Sequence, residues 1–274
     1  MLAGSLRSSF APAFLLLPEP RREALVALHR FCRAADESVD GQATSSLDVW
    51  WREVEALYGR GTPGTSEGTA LSPHVGRYGL ERGDFEIFLE GLASDARGDL
   101  IETEEDLERY CVGVAAAPGF LSLAIFGCPE ARVYAHRLGL ALQRTNILRD
   151  AREDLAVGRI YIPRCDLCAA GVTPEALAAA ARSSEAEPEA ITRLMAGQRQ
   201  RARDWFAEAE RAYRAEPRDA RRRLGAARGM HYLYRALFDR LERESPLPRA
   251  RVRPSRARVL TAVLAAWRDT AFAG

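Results

Sequence analysis

The chain has 274 residues, with 39 basic and 38 acidic residues, a net charge of +1 and 47 % hydrophobic content. That length closes a full hydrophobic core, and the balanced charge excludes the basic footprint of a nucleic-acid-binding domain. Every one of the 39 basic residues is Arg, which excludes a Walker-type phosphate loop and any lysine Schiff-base mechanism.

Hydrophobic periodicity is helical nearly throughout. Glu19-Pro20-Arg21-Arg22-Glu23 opens a helix that turns Leu25, Val26, Leu28 and Phe31 inward and ends near Asp40-Gly41. Ser46 to Tyr58 reads as a second helix begun by Ser and Asp capping residues. Residues 59–73, rich in Gly, Thr, Ser and Pro, predict a loop. Helices are expected next at about 82–95, 103–116 and 130–157. Pro118-Gly119 should break or kink the segment before Phe120–Phe126. Gly158 closes the long helix, and Ile160-Tyr161-Ile162-Pro163 reads as a short extended stretch. Further helices are expected at about 174–183, 187–215, 217–244 and 255–270. With no strand alternation, repeat or compositional boundary, residues 1–274 read as one all-α domain.

Five Cys, an odd number in a chain of this size, do not form a disulfide framework and point to a reducing cytosol. The apolar stretch from Phe10 to Leu17 is interrupted by Pro12, bounded by Pro18 and followed by an acidic helix, unlike a signal peptide. No run of about 18 apolar residues suggests a membrane span. Gly59-Arg60-Gly61-Thr62-Pro63-Gly64 matches a dinucleotide fingerprint in letters only, because it follows a helix rather than a strand. Cys165-Asp166-Leu167-Cys168 has no second pair at zinc spacing. The four His are scattered without ligand spacing, and no G-x-S-x-G elbow occurs.

Two aspartate pairs stand apart. Asp36 and Asp40, then Asp150 and Asp154, are each spaced i, i+4 within a helical pattern, so each pair projects from one helix face. Asp36 and Asp40 lie among Phe31, Cys32, Ala34, Ala35 and Val39, too apolar a setting for an idle charged face. Asn146, the only Asn in the chain, extends the second pair into an i, i+4, i+8 row. Gln143 and Arg149 lie close to that row. Facing each other, the two helices would gather four carboxylates that repel unless cations lie between them. Hard divalent ions take such oxygen donors, Mg²⁺ with water and substrate phosphates completing its shell. Arg149 offers a fork for a phosphate.

These residues resemble the squalene/phytoene synthase family. The matching stretches are Phe31-Cys32-Arg33-x-x-Asp36-x-x-x-Asp40 and Gln143-x-Thr145-Asn146-Ile147-Leu148-Arg149-Asp150-x-x-x-Asp154, followed by Gly158-Arg159-Ile160-Tyr161-Ile162-Pro163. Tyr110-Cys111-Val112-Gly113-Val114-Ala115 and Ser8-Ser9-Phe10 extend the likeness over nearly the whole chain. Three details are most similar to bacterial members that make presqualene diphosphate in hopanoid and squalene synthesis. They are Ser8-Ser9-Phe10 ahead of Leu17-Pro18, the stretch Leu121 to Gly127, and Arg251-Val252-Arg253-Pro254-Ser255.

The resemblance implies an all-α isoprenoid synthase fold with a central cavity, in which two farnesyl diphosphates condense head to head. It implies Mg²⁺, with Mn²⁺ as the alternative, held by Asp36, Asp40, Asn146, Asp150 and Asp154. It places Ser9, Arg33, Gln143, Arg149 and Val114 at the substrate, and Tyr110 and Tyr161 beside the developing cation. Departures from the family pattern are His29 in place of a Tyr, Glu37 in place of a second Asp, and Pro118 in place of an apolar residue. Phytoene or dehydrosqualene synthesis and a catalytically silent scaffold are the competing readings. The retained aspartates argue against the scaffold. Arginines 249, 251, 253, 256 and 258 ahead of apolar Val259–Trp267 leave peripheral contact with an anionic membrane open. Oligomeric state is not legible in the sequence.

Overall fold

The computed structural model describes residue 14 and residues 16–39, 47–250 and 252–271. Helices and turns make up these residues, without a strand among them. In chain order the α-helices are α1 (Glu19–Val39), α2 (Leu47–Leu57), α3 (Ser66–Tyr78), α4 (Arg82–Arg97), α5 (Glu104–Cys111), α6 (Ala117–Phe126) and α7 (Arg132–Ala156). They continue as α8 (Arg164–Ala170), α9 (Pro174–Arg182), α10 (Glu189–Ala215), α11 (Arg218–Arg223), α12 (Gly225–Leu241) and α13 (Arg256–Ala271). A π-helical turn, Val112–Ala116, joins α5 to α6.

Local chemistry explains where the helices depart from the sequence pattern. The loop expected over 59–73 ends early, because α3 begins at Ser66. Buried Glu53 of α2 accepts from Gly64 N at 2.6 Å, Thr65 N at 3.1 Å and Thr65 Oγ1 at 2.8 Å. Thr65, fixed in this way, accepts Gly68 N at 2.9 Å and starts the helix. The break expected at Pro118-Gly119 does not occur either. Pro118 is the second residue of α6, where the missing N–H is tolerated, and its carbonyl accepts Ser122 Oγ at 2.7 Å. The stretch 217–244 divides at Leu224 into α11 and α12, and short α8 was not anticipated.

Two apolar clusters form the interior. Phe31 of α1 anchors the first, edge-on to Trp50 at 5.1 Å and Phe85 at 5.5 Å. Burying one such ring contributes about 2–3 kcal/mol. The second gathers α5, the C-terminal half of α7, α9, α10 and α12 around Leu148, Leu177, Phe206 and Phe238. Val112 and Leu142 pack against both clusters. Helix α7 is the central strut: α10, α12, α9, α6 and the π turn all pack on it. Small residues allow close crossings at the π turn. A Cβ on Gly113 would meet Gly91 Cα of α4 at 2.7 Å, and one on Gly139 of α7 would meet Ala116 Cα at 2.7 Å. The run Glu104–Phe126 is long and apolar enough to cross a membrane, which the sequence reading did not foresee, yet 56 % of its most apolar window is buried within the protein.

Candidate active site

A cavity of about 550 Å³ opens where the two clusters meet. Its walls come from α1, α4, the α5–π–α6 run, α7, α12 and the segment after α7. Along α1 the lining changes from Leu25 and Leu28 through Cys32 to Arg33 and Asp36. Along α7 it changes from Ala135, Leu138 and Leu142 to Gln143, Asn146, Arg149, Asp150 and Asp154. Both helices therefore turn from apolar to polar toward their C-termini, giving one cavity an apolar interior and a polar end.

The rotation of α7 is set on its far side. Arg144 is buried with 1 % exposed side chain, ion-paired with Glu104, 3.3 Å from Gln198 Oε1 and 4.3 Å above the Trp205 ring. That anchor leaves residues 143, 146, 150 and 154 facing the cavity. Asn146 Nδ2 donates to Gln143 Oε1 at 3.1 Å, while Asn146 Oδ1 is buried without a hydrogen-bond partner. Arg149 grips Asp150 through both oxygens, its Nε donating to Oδ1 at 2.8 Å. Burial, then the charge of Asp150, pushes the Asp154 carboxyl up to about 7. At the mouth, Arg33 pairs with Glu37 at 2.6 Å, both exposed.

In the same cavity, Tyr110 and Tyr161 stack with ring centroids 5.1 Å apart and planes inclined by 20°. Tyr161 donates to Asp95 Oδ1 at 2.5 Å. Burial holds both phenols far from ionisation. His29 and Pro118 also line the cavity. Burial and the neighbouring Arg33 charge lower the His29 pKa, so its imidazole is neutral at pH 7.

Ten residues singled out in the sequence thus line one cavity: Arg33, Asp36, Tyr110, Val114, Gln143, Asn146, Arg149, Asp150, Asp154 and Tyr161. Ser9 and Asp40 lie outside the described residues. Among the described residues, no three carboxylate, imidazole or thiol groups already converge within ligating reach of one ion. The donor set nevertheless fits a hard divalent cation. A buried amide oxygen has no partner, and Asp154 beside Asp150 is short of positive charge. Asp95, Met230 and Tyr234 also line the cavity and were missed in the sequence. They lie far from the acidic motifs in the chain and carry no motif of their own. Cys165 and Cys168 are exposed free thiols on α8 and take no part.

The squalene/phytoene synthase family model matches residues 5–258. Presqualene diphosphate synthase of Rhodopseudomonas palustris is 36 % identical over 272 residues, covering 95 % of this chain and 93 % of that protein. The 15-cis-phytoene synthase of Synechococcus elongatus is 33 % identical over 250 residues, covering 84 % and 78 %. A crystal structure of a dehydrosqualene synthase superposes with a TM-score of 0.83 at 26 % identity, covering 94 % of this chain and 90 % of that one. A helical fold shared along nearly the full length, and a match running from residue 5 to residue 258, make this chain a member of the squalene/phytoene synthase family.

Proposed function

We propose that the chain is a head-to-head prenyltransferase that condenses two farnesyl diphosphates into presqualene diphosphate. One observation carries the reading: α1 and α7 both grade from apolar to polar along a single cavity, matching substrates with a hydrocarbon tail and a diphosphate head. The identity to presqualene diphosphate synthase over 95 % of the chain supports the product. Mg²⁺, or Mn²⁺ in its place, would be held by Asp36, Asp40, Asn146, Asp150 and Asp154 and would supply positive charge to the departing diphosphate. Arg33 and Arg149 would exchange Glu37 and Asp150 for phosphate oxygens, with Ser9 and Gln143 as further polar contacts. Val114 and Leu142 keep water from the allylic cation, and the Tyr110–Tyr161 pair presents π-faces and hydroxyl oxygens to it. No protein nucleophile is required.

Incubation with farnesyl diphosphate and Mg²⁺, without and then with NADPH, tests this by mass spectrometry of the products. Presqualene diphosphate in both samples is expected; squalene formed only with NADPH would extend the activity to reduction. The identity to phytoene synthase over 84 % of the chain favours a second reading, phytoene from geranylgeranyl diphosphate, and that substrate is the parallel arm. Absence of turnover with either would overturn both readings in favour of a silent scaffold. We place the enzyme in the cytoplasm, touching lipid through α13, where Leu260, Leu264 and Trp267 are 60 %, 55 % and 55 % exposed. Failure to pellet with anionic liposomes would remove the lipid contact.

A further inference from the structure

We propose that Asp95 is a positioning residue that acts through Tyr161 on Tyr110, orienting both phenols toward the cation formed in the cavity. The inference rests on the prenyltransferase reading. Asp95 stands in the last turn of α4, on a different element from either acidic motif, and its side chain is only 16 % exposed. Tyr161 donates to its Oδ1 at 2.5 Å. The Tyr110 ring in turn stacks on that of Tyr161, with planes inclined by 20°.

The order of donation follows from the chemistry of the end group. A carboxylate only accepts, so Tyr161 spends its single proton on Asp95 and its oxygen is left as an acceptor. That oxygen, with its lone pairs, is what Tyr161 offers to the cavity it lines. The Tyr161 O–H dipole then points toward the carboxylate and away from a cation in the cavity. Dipoles fixed before the reaction stabilise developing charge without reorganising. The same bond holds Tyr161 flat on Tyr110, at 5.1 Å between centroids, so the ring faces are fixed as well. A purely structural alternative is that Asp95 only tethers the segment after α7 through Arg159, whose Nη1 lies 3.8 Å from Oδ2.

The variants Asp95→Asn, Tyr161→Phe and their combination separate the two in the full-length enzyme with Mg²⁺. Asparagine keeps the shape and an acceptor oxygen but removes the charge. Expected are a KM for farnesyl diphosphate within about 3-fold of wild type and a kcat lowered by about 10- to 100-fold in each single variant. The double variant should be no more than about 2-fold slower than the slower single, because the residues act in series. Losses that multiply, an unchanged kcat in Asp95→Asn, or a defect rescued by excess Mg²⁺ would overturn the assignment; the last would make Asp95 a metal ligand. A second readout does not depend on turnover. With ¹³Cζ-labelled tyrosine, the Tyr161 resonance, identified by its loss in Tyr161→Phe, should shift in Asp95→Asn. No shift would refute the coupling even if the enzyme turned over. A wild-type protein inactive on both prenyl diphosphates would refute the function instead and leave this shift as the test of the contact.

Discussion

Arg228→Met should loosen the attachment of α13 to the rest of the protein. Arg228 of α12 has 2 % of its side chain exposed, with Glu210 of α10 at 2.7 Å and Asp269 of α13 at 2.8 Å. Its Nη2 donates to Tyr232 Oη at 2.8 Å, and its guanidinium lies 4.0 Å above the Tyr213 ring. Methionine retains much of the apolar stem but strands two carboxylates around a buried gap. Removing one partner of a fully buried ion pair costs about 3–5 kcal/mol. Glu210 and Asp269 are 29 % and 22 % exposed, so water recovers part of their solvation and the lower figure, about 3 kcal/mol, applies. For a chain of 274 residues, an unfolding entropy of about 2.1 cal/mol/K per residue converts this to a Tm lower by about 5 °C. Differential scanning calorimetry and urea titration would measure it. Adding Glu210→Gln and Asp269→Asn to the variant should restore at least half of the loss, since the stranded charges are then neutral. A loss below about 1 kcal/mol in the single variant, or no recovery in the triple, would refute the reasoning.

Other perturbations probe the site and the core. Asp36→Asn and Asp150→Asn should each cut turnover by at least about 100-fold while the helical circular dichroism is retained; near-wild-type rates would refute the four-carboxylate reading. Burial, then the Arg228 charge, pushes the buried His231 imidazole down to about 3. Glu210, Arg235 and Asp269 also face it, and Phe206 and Tyr232 flank the ring. A folded pKa below the unfolded one makes this contribution complete above about pH 6.5, and it is lost as pH falls toward 3, by up to about 5 kcal/mol. Urea midpoints of wild type should fall between pH 7 and pH 4 more steeply than those of His231→Phe; parallel slopes would contradict the assignment. Gly91→Ala should cost about 1–3 kcal/mol, because the added Cβ would stand 2.8 Å from Gly113 Cα. An unchanged urea midpoint would mean that α4 shifts there without cost.

What the sequence disclosed and what it concealed have physical causes. The row Asn146, Asp150, Asp154 was legible because its spacing matches the helical turn and its neighbours are apolar. The helical pattern itself was legible for the same reason, through rows such as Leu25, Leu28 and Phe31. Asp95 was not, since it reaches Tyr161 across 66 positions of chain. The start of α3 was hidden because Gly64 and Thr65 read as turn residues, while the group that organises them, Glu53, lies a helix away. Nothing in Val112-Gly113-Val114-Ala115-Ala116 distinguishes a π turn from ordinary helix. Pro118 looked like a break because the rule for proline assumes an α-helical register already running before it.

The π turn also governs how this wall of the cavity responds to changes in chain length. An α-helix advances about 100° per residue, so a turn that absorbs one surplus residue rotates everything beyond it back by that amount. Tyr110, Val114, Pro118, Gly119, Ser122, Leu123 and Phe126 all line the cavity. In an unbroken α-helix they would fan over about 220°; with one residue absorbed they gather within about 140°. Deleting a single residue between 112 and 116 would remove that surplus and leave Ser122 and Phe126 on the side that Tyr110 occupies, whereas straightening the turn with all its residues kept would swing them away by about 100°. The turn is therefore the place where this wall can lose a residue and keep its lining, whereas a deletion elsewhere in the run would rotate one half of the wall against the other by about 100°.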